Sequence, residues 1–306
     1  MDTLSTLLAL TRAHVALDAR CLLGSRFTLP HAPLPPGEAT FHLVLAGQCR
    51  LHTASGEAHL LSPGCLALLP HGVGHSVTGL TATRPDDAAP RRSDDSGALP
   101  FKRQDGDHTV DLLCGRLIHD ANAAKLLLAN VPSLLVAHLD QTPGLAALET
   151  LAALLRAESA ANLPGAAAIL TALMQALLGY ALRDCADRPS SAPHCLALVT
   201  DPRLGAATQA MLRAPEQPWT LESLADRAAM SRATFARRFR ERAGMTPGDF
   251  LTALRMTLAC RLLRDSPRPL ADIAAAVGYQ SDTAFGKAFR QSLGTTPGQW
   301  RRQAAP

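Results

Sequence analysis

The sequence predicts a multidomain α+β chain: a barrel of short strands first, a helical segment next, and an all-α pair of helix-turn-helix units last. Three observations carry this prediction. Between residues 20 and 80, apolar runs of four to six residues alternate with Gly and Pro, as in "FHLVLAG", "CRLHTASGEAHLL" and "CLALLPHG". From 121 to about 186 the chain turns rich in Ala and Leu, with apolar residues at three and four spacing. In the last third, two segments repeat at a fixed offset. A length of 306 residues suits two domains and a connecting segment.

The runs of residues 20–80 read as short strands with turns at "SG" and "PG". Residues 82–108 are rich in Pro, Asp, Arg and Ser with little to bury, and read as a disordered surface loop. Strand-like "TVDLLCGRLI" (109–118) then resumes the sheet, so the loop interrupts the first domain without ending it. In the helical segment Leu145, Leu148, Leu151 and Leu155 line one helix. Ile169, Leu173, Ala176, Leu177 and Tyr180 line another. Helices this apolar need a partner, either each other or a second subunit. "DRPSSAPHC" (187–195) reads as a linker. The expected organisation is therefore 1–120 for the barrel, 121–190 for the helical linker or dimerisation segment, and 196–306 for the C-terminal domain.

Charge divides along the same line. From residue 200 onward there are 16 Lys and Arg against 9 Asp and Glu, an excess of +7 within a total of +4. A polyanion partner is expected for the C-terminal part only. The seven cysteines are odd in number, scattered and without a C-x-x-C pair, which excludes a secreted disulfide framework and a thiolate zinc finger. The first residues lack a basic region and a small-residue cleavage site, and no run of about 18 uncharged apolar residues suggests a membrane span. A soluble, cytoplasmic protein is expected.

"MSRATFARRFRERAGMTPGDF" (230–250) and "YQSDTAFGKAFRQSLGTTPGQW" (279–300) match at Ser231/Ser281, Phe235/Phe285, Phe239/Phe289, Gly244/Gly294, Thr246/Thr296, Pro247/Pro297 and Gly248/Gly298. Each copy follows a short amphipathic helix, "LESLADRAA" or "LADIAAAVG". Ser231 and Ser281 stand where an N-cap belongs. The paired Phe residues anchor the second helix and leave its opposite face free. That face carries Arg232, Ala233, Ala236, Arg237 and Arg240 in one copy, and Asp282, Thr283, Gly286, Lys287 and Arg290 in the other. Such a face suits a major groove, where arginine bonds guanine bidentately and small side chains permit close approach. Two helical hairpins with solvated basic faces are the bland alternative; the repeat and the local charge favour double-stranded DNA.

Residues 200–302 resemble the DNA-binding domain of AraC/XylS-family transcription regulators, with "GYQSDTAFGKAFRQSLGTTPGQWR" close to that family's C-terminal signature. The resemblance implies two helix-turn-helix subdomains joined by a long helix, here "PGDFLTALRMTLACRLLRD" (247–265). It implies base-facing roles for Arg232, Ala233, Ala236, Arg237, Asp282, Thr283, Gly286 and Lys287, and phosphate contacts for Arg240 and Arg290. A homodimer that works with RNA polymerase, more often as an activator, is also implied.

"GCLALLPHGVGH" fits the second cupin motif through Gly64, Pro70, Gly72 and His75. The first motif is poorly kept: His42 is present, but Val44 stands where a second histidine belongs. His42 and His75, with His52 as a further candidate, are possible ligands for a divalent metal. No complete ligand set is visible, and no other cofactor is expected. A regulator sensing a small molecule or metal in the barrel, and a cupin metalloenzyme with a DNA-binding tail, remain as alternatives; with no paired acid and base, no enzyme is expected.

Blocks such as "CLLGSRFTLPH", "GEAHLLSPGCLALLP" and "DLLCGRL" further resemble family members that respond to reactive chlorine species. That resemblance implies a thiol switch at Cys21 and Cys114. Independently, Arg20 and Arg26 near Cys21, and Arg116 near Cys114, would favour accessible, partly ionised thiols. Two small apolar core residues are the alternative. The pair can form a disulfide only if its Cα atoms come within about 7 Å.

Overall fold

Eleven strands are defined among the described residues of the computed structural model: β1 (His14–Leu23), β2 (Thr28–His31), β3 (Glu38–Ala46), β4 (Cys49–Thr53), β5 (Ala58–Leu61), β6 (Cys65–Leu69), β7 (His75–Gly79), β8 (Arg91–Arg92), β9 (Phe101–Arg103), β10 (Val110–Ile118) and β11 (Leu135–His138). The described residues are 2–81, 91–92, 99–104, 107–120, 123–124, 128, 131–138, 150–151, 153–155, 157–158, 163–187 and 193–304. The strands form a seven-stranded sheet in the order β11-β6-β3-β10-β1-β9-β8 and a four-stranded sheet in the order β2-β7-β4-β5. The shared core draws Cys21, Leu23, Val44, Leu112 and Cys114 from the first sheet and Leu29, Cys49, Leu51 and Val77 from the second. Alternation places these side chains on one face; β7 reads buried, half-buried, buried along its length. β6 is buried throughout, as expected of an interior strand covered on both faces. Gly47 lets β3 turn back into β4: its φ is 75°, and a Cβ there would stand 1.9 Å from the Thr109 carbonyl oxygen.

Three expectations change here. Most of the loop expected at 82–108 lies outside the described residues, but Phe101–Arg103 is a strand that pairs parallel to β1. The edge of β1 has backbone groups to satisfy: Arg20 N–H donates to the Pro100 carbonyl and Gln104 N–H to that of Leu22. Backbone demand therefore overrides a polar composition. The helical segment contains a strand as well, because Leu135–His138 extends the larger sheet beside β6.

The third change concerns the helix Ala166–Asp187 (α2; α1 is Thr3–Thr11), which packs against β1 and β11. Its buried stripe is Leu170, Met174, Leu177, Leu178, Ala181, Leu182 and Cys185. Of the expected stripe only Leu177 is buried, while Ile169 and Ala176 are exposed. Both neighbouring stripes are apolar, so periodicity alone does not select between them. With a mean hydropathy of 1.4, α2 is also the one helix among the described residues long and apolar enough to cross a membrane, against expectation; one of its faces is spent on the sheet. In the other expected helix Leu145 and Leu148 lie outside the described residues, and Leu155 is buried.

The second unit is helical: α1, α3 (Ala197–Thr200), α4 (Pro202–Arg213), α5 (Leu221–Arg227), α6 (Arg232–Ala243), α7 (Pro247–Asp265), α8 (Leu270–Ala276), α9 (Asp282–Leu293) and α10 (Pro297–Ala304). It comprises Met1–Arg12, Asp120–Val131 and Pro189–Pro306, while Ala13–His119 and Pro132–Arg188 form the sheet unit. This division differs from the expected boundaries 1–120, 121–190 and 196–306, for an identifiable reason. α1 packs against α4, Arg12 pairs with Asp265, and Arg264 Nη1 lies 2.7 Å from Asp120 Oδ2. These contacts bind both flanks of the first sheet segment to the helical unit.

Candidate functional site

The site inside the sheets follows from strand register. Cys21 on β1 stands opposite Leu112, and Cys114 on β10 stands opposite Ala19, so the two cysteines are diagonal neighbours on one face. The two thiols act on each other, lowering the pKa of Cys21 and raising that of Cys114. Cys114 is also directly opposite His42 on β3, with Sγ 3.2 Å from His42 Nδ1. On the smaller sheet His31 is opposite His75, and their rings stack at 4.6 Å and 3°. His42 meets this pair edge-on, its Nε2 2.7 Å from His75 Nε2.

The proton positions follow. His75 Nδ1 lies 3.0 Å from the Val73 carbonyl oxygen and must donate to it. Burial keeps His42 and His75 below the usual histidine pKa, so both rings are neutral. His75 Nε2 therefore accepts from His42 Nε2–H, and His42 Nδ1 is left to accept from the Cys114 S–H. Burial also pushes His31 down to about 4, because a second charged ring could not be accommodated beside His75. Between the thiols, the interaction with Cys114 holds Cys21 below the usual thiol value against burial; Lys102 adds to the lowering and Asp111 opposes it. The same interaction with Cys21, with burial, raises Cys114 well above its usual value.

The structure thus brings Cys21, Cys114, His42 and His75 together and corrects several expectations about their setting. Both thiols are buried, with exposures of 0% and 5%, so neither is accessible. Arg20 is turned from Cys21 by the strand's alternation and forms a bidentate pair with Asp111 at 2.9 and 2.7 Å. Arg116 is engaged by Asp18 and Glu38. The cation that acts on the thiols is Lys102, in register with Cys21 on β9, within the segment whose composition reads as a loop. His52 is not part of the cluster: Thr53 is the β4 residue opposite His75, so His52 faces the other way, where its Nε2 meets Thr78 Oγ1 at 2.9 Å. His31 was missed because it lies outside both cupin motifs; only the pairing of β2 with β7 brings it in.

The two recognition helices are built alike. Ser231 and Ser281 cap α6 and α9 through Thr234 N–H and Ala284 N–H, and Gly244 and Gly294 end them in left-handed conformation. Phe235 and Phe239, like Phe285 and Phe289, are buried. Arg232, Ala233, Arg237, Arg240, Asp282, Thr283, Lys287 and Arg290 are exposed, while Ala236 and Gly286 are half-buried. Arg237 makes an i,i+4 pair with Glu241 at 3.1 Å. Arg238, on the same helix, instead serves the fold by pairing with the buried carboxylate of Asp201 at 2.9 Å.

Comparison with known proteins agrees with both halves. Residues 2–187 match the Cupin family and residues 224–303 the Helix-turn-helix domain family. The chain is 32% identical over 309 residues to the RCS-specific HTH-type transcriptional activator RclR of Escherichia coli, covering all of both chains. It is 28% identical over 311 residues to the HTH-type transcriptional regulator MtrA of Neisseria gonorrhoeae, covering 99% of each. The DNA-binding domain of AdpA, solved in complex with a target DNA, is 36% identical with a TM-score of 0.32, covering 34% of this chain and 93% of that one. With a cupin-type domain in front of two helix-turn-helix units, and full-length identity to such regulators, the chain belongs to the AraC family of DNA-binding transcription regulators.

Proposed function

We propose that the chain is an oxidant-responsive transcription activator whose switch is the pair Cys21 and Cys114. The observation that carries this reading is their diagonal register on one face of β1 and β10. Diagonal neighbours in an antiparallel pair stand about 7–8 Å apart between Cα atoms. Disulfides prefer about 5.5–6 Å, so closing the bond draws the strands together by about 1–2 Å. Hypochlorous acid takes two electrons from the two thiols, giving one S–S bond, chloride, a proton and water. A reactive chlorine species is the favoured oxidant because the relative RclR is named RCS-specific. Burial limits access to a small uncharged oxidant, and neutral hypochlorous acid fits that requirement.

The strain has a covalent route. β1 begins two residues after Arg12, and β10 ends two residues before Asp120. Those residues pair with Asp265 and Arg264 at the C-terminal end of α7. In this reading α7 sets the relation between the two helix-turn-helix units. A homodimer in the cytoplasm binds duplex DNA through Arg232, Ala233, Ala236, Arg237, Asp282, Thr283, Gly286 and Lys287, with Arg240 and Arg290 on phosphates, and recruits RNA polymerase.

Cys21→Ser and Cys114→Ser test the switch. Each is expected to abolish induction of a target promoter by hypochlorous acid while leaving DNA binding by the reduced protein within twofold. Full induction in either variant would contradict it.

A further inference from the structure

His31, His42 and Cys114 each offer one ligating atom, and these atoms lie within 4.8 Å of one another. His75 adds a fourth donor, its Nε2 at 2.7 Å from His42 Nε2. We propose that His31, His42, His75 and Cys114 form a site for one divalent cation of the zinc class, which competes with the Cys21–Cys114 disulfide for the same sulfur. The competition, though not the site, rests on the switch proposed above.

Three imidazoles and a thiolate are a donor set suited to a borderline-soft, four-coordinate cation. Two of the four donors, His31 on β2 and Cys114 on β10, come from outside both cupin motifs. His75 is oriented as metal-bound imidazoles are: Nδ1 donates to the Val73 carbonyl, which leaves the Nε2 lone pair directed at the cluster. His31 Nε2 is buried and has no hydrogen-bond partner among the described residues. A buried nitrogen left unpaired costs free energy that a bound cation would recover. Ligand atoms around tetrahedral zinc stand about 3.3–3.7 Å apart. Among His31, His42 and Cys114 a spread of at most 4.8 Å has to close to this spacing, while the 2.7 Å between His42 Nε2 and His75 Nε2 has to open. Val44, Ala67, Val77 and Leu112 belong to the buried core cluster that contains Cys114.

With the metal bound, oxidation by hypochlorous acid joins the Cys114 thiolate to the Cys21 thiol, producing one S–S bond, chloride and water and removing the sulfur ligand. The test uses the full-length chain, reduced and stripped with chelator, titrated with Co2+ and then Zn2+. One Co2+ per chain is expected, with a sulfur-to-cobalt charge-transfer band and the visible spectrum of a four-coordinate ion, both displaced by Zn2+. Cys114→Ser should lose the charge-transfer band, His31→Gln should weaken binding at least tenfold, and Cys21→Ser should bind as the wild type does. Absence of the band in the wild-type protein, or its persistence in Cys114→Ser, would overturn the site without reliance on any variant's stability in the first case. Hypochlorous acid should release Zn2+ to a chromogenic chelator in step with disulfide formation in the wild type. Metal binding without a disulfide would keep the site and overturn the competition; a disulfide without metal binding would overturn the site and leave the switch standing.

Discussion

At the scale of single residues, the chain shows how far chemistry depends on register. Cys21 and Cys114 are legible as a pair only through resemblance, since no spacing rule links positions 93 residues apart in the chain. The pairing of β1 with β10 makes them neighbours, and the pairing of β3 with β10 adds His42. Arg20 and Arg116 look in sequence like the cations that would activate the thiols, yet each answers a carboxylate on another strand. Lys102 could not be read as their replacement, because its strand is selected by the open edge of β1. On α6 and α9 eight of the ten residues expected on the outward face are exposed, while Ala236 and Gly286 are half-buried. Arg237→Ala should cost about 1–3 kcal/mol in specific binding and relax one base position if Arg237 reads a base. A competition binding assay against single-base operator variants measures this; a uniform loss would make Arg237 a phosphate contact. Its pair with Glu241 is exposed and worth at most about 1 kcal/mol, so it does not compete with a bidentate base contact.

At the scale of elements, what was readable was what local rules determine. Caps and stops of α6 and α9 appear in the sequence as Ser231, Ser281, Gly244 and Gly294, and the structure uses all four. The phase of α2 was not readable, because two adjacent stripes are equally apolar and the sheet selects one. Ser231→Ala and Ser281→Ala should each lower stability by about 0.5–2 kcal/mol, measured by urea unfolding. Asp201 does more, capping α4 through Arg203 and Leu204 amides and holding Arg238. Burial raises its pKa, but the Leu204 hydrogen bond and Arg238 outweigh this and leave the net shift downward. A depressed folded pKa means the contribution is present above about pH 4, the unfolded value, and is lost as pH falls through the lower folded value. Asp201→Ala should therefore destabilise by about 1–3 kcal/mol at pH 7. The difference from wild type should shrink below pH 4, as urea unfolding across pH can show.

At the scale of the whole molecule, the α+β architecture was legible while the partition of the chain was not. Composition changes near 121 and 190 suggested successive domains, but Met1–Arg12 and Asp120–Val131 fold with the helical unit. Their attachment depends on α1 packing against α4 and on ion pairs to Arg264 and Asp265, which no local window contains. If those pairs transmit the switch, Asp120→Arg should reduce oxidant induction severalfold while the protein still binds its operator. Combining it with Arg264→Asp should restore much of the response, as measured with a promoter reporter. Unchanged induction in Asp120→Arg would remove this pair from the route.

In the proposed switch, oxidation joins two particular buried sulfurs among seven. Peptide mass spectrometry of the full-length protein, treated with one equivalent of hypochlorous acid and alkylated without reduction, tests it most directly. A cross-linked peptide containing Cys21 and Cys114 is expected, with Cys49, Cys65, Cys185, Cys195 and Cys260 recovered as alkylated thiols. Recovery of Cys21 and Cys114 as free thiols, or a cross-link that pairs either with another cysteine, would contradict it.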